Sequence, residues 1–184
     1  MAAAILLYMQ PDPASVMLLL RVTARISGVL LASAFASPAL RRLWPSALTE
    51  WMAGNRHRFT LLFALSHTIH LAGVVMLAIL MPDRFLSKQG LAVLIPGGLA
   101  YALIYYLAWM AFARRRNPDL PDTKMQTFAI YALWAIFTLA FTRRSSGSVL
   151  IYAPLALVMW LALAARVWAK LAVKTSTQVS LANR

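Results

Sequence analysis

Apolar positions along this chain come in long unbroken runs rather than in alternating or amphipathic stripes. Five runs reach the roughly 20 residues that an α-helix needs to cross a bilayer, near residues 15–37, 58–80, 91–113, 125–142 and 148–169. Backbone groups in hydrocarbon have no water to bond, so each run is predicted to be helical. Pro96-Gly97-Gly98 is expected to shorten or bend the third span and Pro154 to kink the fifth. The opening residues 1–10, closed by Pro11 and Pro13, are too short to span and lack the basic leader of a cleavable signal. They read as a partly buried or re-entrant stub. The polar residues 174–184 read as a loosely held tail behind a single transmembrane domain over residues 1–173.

Composition agrees with the pattern. Of 184 residues 61% are hydrophobic and 12% charged, and the mean hydropathy is +0.70. A water-soluble domain of this size does not carry so much apolar surface, so the class is an integral membrane protein. There is no cysteine, which removes disulfides, iron–sulfur clusters and thiol chemistry together.

The formal net charge of +13 invites a nucleic-acid reading, but the basic residues sit at the ends of apolar runs, where they set topology. Arg41, Arg42, Arg56, Arg58, Arg114, Arg115, Arg116, Lys124, Arg166, Lys170, Lys174 and Arg184 fall on one side; Arg84, Lys88, Arg143 and Arg144 fall on the other. The richer side is expected to be cytoplasmic, placing the N-terminus outside and the C-terminus inside. The resulting expectation is an all-α, five-span bundle in a bacterial inner membrane, with lipid as its surroundings and nucleic acid excluded as a partner.

Two anomalies interrupt the hydrocarbon. His67 and His70 lie three residues apart on the second span and share a face. They sit roughly 13 and 18 Å in from Arg58 at the helical rise. One reading is axial ligation of a haem iron; the other is helix glue, a ring nitrogen bonded to a carbonyl or hydroxyl of a neighbouring helix. Zinc or copper fits less well, because two imidazoles are too few ligands and no carboxylate is near. His57, in an Arg-His-Arg sequence at the interface, reads as a solvated residue.

Arg21 and Arg25, one turn apart in the first span, are the second anomaly. The chain's acids are Asp12, Glu50, Asp83, Asp119 and Asp122, all in loops or at ends, so none neutralises these arginines at depth. Either both snorkel to headgroups, or they meet an external anion: haem propionates, a lipid phosphate or a partner subunit's acid. The missing buried carboxylates also disfavour a proton pump or cation-coupled transporter. The aromatic stripe of Tyr101, Tyr105, Tyr106 and Trp109 and the nine scattered methionines read as packing and interface residues.

Asp12-Pro13, Thr23-Ala24-Arg25, Ser37-Pro38 with Arg41-Arg42, then Arg56, Arg58 and His70 follow one another in an order that resembles the ferric-reductase-like transmembrane domain family, in the form of the haem-bearing membrane subunit of the methionine sulfoxide reductase system. The resemblance covers residues 11–71. It implies a small haem-b electron-transfer component, with His70 as the first-choice iron ligand, His67 as the second, and Arg21 and Arg25 as cofactor-contacting residues. The family's later-helix histidines have no counterpart: aligning Tyr152 on the family's tyrosine leaves Ser148 and Leu161 in their places, and no histidine follows His70. Three arrangements remain open. Two copies share haem across a homo-oligomer interface; a histidine pairs with a methionine such as Met159; or the fold carries no cofactor and is a structural subunit beside partner membrane subunits. The redox partner is not readable.

Overall fold

The computed structural model describes residues 12–117 and 119–182, the side chains of residues 84–94 and 173–182 excepted. The proposed N-terminal stub, the side chains of Arg84 and Lys88, and the side chains of the C-terminal tail lie outside the described residues. Six helices follow in order: α1 (Pro13–Leu43), α2 (Ala47–Gly54), α3 (Arg56–Leu80), α4 (Pro82–Arg116), α5 (Lys124–Ser145) and α6 (Val149–Ala182). Five of them, all but α2, are long and apolar enough to cross a membrane. The chain is an all-helical, multi-pass membrane protein.

Local chemistry sets the helix starts. Asp12 caps α1, accepting the Ser15 N–H at 2.8 Å, with Pro13 in the first turn. Those bonds hold its carboxyl below the usual carboxylate range. Reciprocal capping boxes open α2 (Ser46 with Thr49) and α5 (Thr123 with Gln126). Arginines close α1, α4 and α5, where cations complement the helix dipole.

The central element is α1, which packs on α3 and α6 along its length. Small residues let the backbones approach: a side chain at Gly28 would meet the Phe141 ring at 2.5 Å, and one at Gly73 would meet Leu20 at 2.9 Å. Towards the Arg/Lys-rich end, here called the basic end, α1, α5 and α6 enclose Phe35, Leu133 and Met159. The faces turned away carry Leu150, Ile79 and Trp109, all strongly exposed, as lipid contact requires.

One boundary differs from the expectation. The helix of the first span passes through Pro38 to Leu43 rather than ending near Ser37. A proline loosens the ladder of the preceding turn, and there Arg166 Nε donates to the Phe35 carbonyl at 2.7 Å. The helix of the third span likewise runs through Pro96-Gly97-Gly98 without a break.

At the basic end Asp122 bonds Arg56 at 2.9 Å and Arg114 at 2.8 Å, tying the α4–α5 loop to α3 and α4. Partial burial alone would raise its carboxyl; the two guanidinium groups outweigh that and hold it below the ordinary carboxylate value. A depressed native value means that the stabilisation is present at neutral pH and is lost as pH falls below about 4. The carboxylate is half exposed, so the effect is small. Asp122→Asn should therefore flatten the acid side of a melting-temperature-versus-pH curve. A variant that loses stability in acid as steeply as the parent would place the titrating group elsewhere.

Candidate functional site

A polar seam crosses the otherwise apolar contact between α1 and α3. Thr23 and Ser27 lie one turn apart on α1, facing Ser66, His67 and His70 on α3. The Thr23 hydroxyl donates to the Leu19 carbonyl at 2.8 Å, and its oxygen lies 3.0 Å from His70 Nδ1. The hydroxyl has one proton, already given to the backbone, so His70 Nδ1 carries the proton of the pair. His67 follows the same logic through a longer chain. Ser66 donates to the Thr23 carbonyl at 3.3 Å, Ser27 donates to Ser66 at 3.0 Å, and Ser27 in turn accepts from His67 Nδ1 at 3.3 Å. Both rings are thereby assigned as Nδ1–H tautomers, and His70 also hydrogen-bonds the Leu20 backbone.

The helix-glue reading thus accounts for the Nδ1 contact of each ring. Fixing Nδ1–H on a neighbouring oxygen is also how a metal-ligating histidine is oriented.

The two rings are not equivalent. They stack on each other with centroids 4.9 Å apart and planes 11° from parallel. His67 is further boxed in by Phe63, Tyr101 and Phe137, with centroids 5.8, 5.1 and 5.2 Å away. His70 has His67 as its one ring neighbour among the described residues. Axial ligands must approach an iron from opposite sides, each at about 2 Å. Two stacked rings on one wall cannot do so, and one copy of the chain supplies one axial histidine at most. Met159 is no remedy: it lies in the α1–α5–α6 core, 1% exposed, and not on the cleft that the histidines face.

That cleft has a volume of about 1130 Å³ and is walled by α1, α3, α4, α5 and α6. His67 and His70 stand on one wall. Gly97 and Gly98 of α4 contribute wall without side chains, with open space where a Cβ would stand. Arg21, Arg25, Arg143 and Arg144 line it away from the basic end, together with Tyr152. The Arg25 guanidinium lies 5.4 Å from the Tyr152 ring centroid and that of Arg144 6.0 Å. Arg25 Nε is buried and has no hydrogen-bond partner. No carboxylate lines the cleft.

Sequence reasoning singled out four of these residues, and the fold brings all four to one cleft. Arg143 and Arg144 had been assigned to topology alone. They join Arg21 and Arg25 only because α5 ends beside the first half of α1. Thr23, Ser27 and Ser66 carried a usable signal, since one polar residue per turn on each of two apolar spans marks a helix–helix contact. His57 stays outside the cleft. Among the described residues, no three His, Cys, Asp or Glu side chains converge on a point. No protein-family model, no curated protein and no solved structure matches this chain.

Proposed function

We propose that this protein is a haem-b-type electron-transfer component of a bacterial inner membrane, with its N-terminus outside and the cleft opening towards the outer side. The carrying observation is the His70 imidazole: its Nδ1 lies 3.0 Å from Thr23 Oγ1, and its ring lines a cleft that four arginines also line. A flat apolar macrocycle bearing two carboxylates matches that arrangement. His70 would hold the iron, and Arg21, Arg25, Arg143 and Arg144 would face the propionates. The partnerless Arg25 Nε is a donor awaiting an anion. Bound haem would supply one-electron redox chemistry. The chain's own part is to orient the imidazole, neutralise the carboxylates in a low-dielectric setting and keep the cleft apolar elsewhere. The resemblance to ferric-reductase-like membrane domains supports the same reading.

The stacked rings favour a second reading, in which the chain is a non-catalytic subunit of a larger membrane complex. An absorption spectrum of the full-length protein, purified from haem-supplied cells, separates them. A Soret band with dithionite-reducible α and β bands is the expected result. A colourless preparation would overturn the redox reading and leave the subunit role.

A further inference from the structure

A second basic cavity lies at the opposite end of the bundle. It has a volume of about 210 Å³ and is set between α1, α3, α5 and α6. Arg42, Arg56, Arg166 and Lys170 line it, with Asp122 as the acid. Asp122 is engaged by Arg56 and Arg114. Arg42, Arg166 and Lys170 have no carboxylate partner among the described residues.

Arg166 is also pre-set. Its Nε is fixed on the Phe35 carbonyl at 2.7 Å, and its guanidinium lies 4.2 Å from the Phe35 ring centroid and 5.1 Å from that of Tyr131. The Lys170 ammonium lies 5.4 Å from the same Tyr131 ring. A cation held this way has already lost its rotamer freedom, which lowers the cost of binding an anion. The placement matters as much as the charge. The cavity lies at the end of the bundle where α1 and α3 meet the Arg/Lys-rich loops, beside Arg56 and the α4–α5 loop residue Asp122.

We propose that this cavity binds a phosphate group, and that in the membrane this is the phosphate of an anionic phospholipid seated between α1 and α6. Three cations without a carboxylate partner around a small cavity suit the compact multi-acceptor geometry of phosphate. Basic pockets between spans at headgroup depth are where anionic lipids bind. The site is separate from the histidine cleft and does not depend on haem.

Native mass spectrometry of the full-length protein in detergent, titrated with phosphatidylglycerol, phosphatidylcholine or inorganic phosphate, tests this. Arg42→Ala with Lys170→Ala removes two exposed cations of the site; Arg58→Ala with Arg115→Ala removes equal charge from the same end outside it. Phosphatidylglycerol should bind in preference to phosphatidylcholine, about tenfold more weakly in the first double variant, and unchanged in the second. Inorganic phosphate that binds with the same dependence on the variants supports the phosphate site with a soluble source. Equal binding of the two lipids, or equal loss in the two double variants, overturns the proposal.

Discussion

His70→Ala should abolish the Soret and α bands expected of the purified protein if it carries the proposed haem, while His67→Ala should keep most of them. The loss expected in His70→Ala is tenfold or more in haem content, since removal of even an outer-shell partner costs about 10–100-fold in metal affinity. The asymmetry follows from the surroundings of the two rings. His67 is enclosed by Phe63, Tyr101 and Phe137 and its Nδ1–H ends a chain of two hydroxyls, whereas His70 is bonded to Thr23 and has no aromatic enclosure beyond His67 among the described residues. Added imidazole should restore the bands in His70→Ala, which a purely structural role would not allow. Equal loss in both variants would move the ligand assignment away from His70. Retention of the full spectrum in both would remove the histidines from the site altogether.

Phe35→Ala carries the largest expected effect on stability. The side chain is fully buried. Its ring meets Tyr131 edge-on at 5.0 Å, stacks on Trp134 at 5.7 Å and lies under the Arg166 guanidinium at 4.2 Å. Truncation leaves a cavity where α1, α5 and α6 meet and strips Arg166 of a partner. In water-soluble cores Phe→Ala costs 3–5 kcal/mol. Lipid chains are as apolar as the core, so the water-transfer share is missing and the contact-loss share remains. A loss of about 3 kcal/mol, the low end of that range, is expected in reversible unfolding of the protein in mixed micelles. Phe35→Leu should recover part of it. A loss under about 1 kcal/mol would mean that this junction is not where the bundle is held together.

Hydropathy made the five spans legible because lipid imposes one solution on any long apolar run. The α2 helix escaped notice: it has eight residues, and its start is a Ser46–Thr49 capping box rather than a hydrophobic run. The extension of α1 past Pro38 was equally hidden, since Arg166, which donates to a carbonyl in the turn before that proline, lies 131 residues further along the chain. The histidines and the two arginines of the first span stood out because polar groups within apolar runs are rare and costly. Their chemistry did not follow from that. The tautomer of each ring depends on where the hydroxyl protons of Thr23, Ser27 and Ser66 go, which is a property of two helices in contact.

Sequence alone determined that the chain lives in a membrane, how many times it can cross, and which polar groups must be explained, because those follow from the cost of polarity in hydrocarbon, residue by residue. Only the tertiary structure decided that four arginines from distant segments meet at one cleft, that the two imidazoles stack on a single wall, and that a second basic cavity forms at the other end. Each of these is a distance between groups far apart in the chain, set by how the spans pack and not by any local preference.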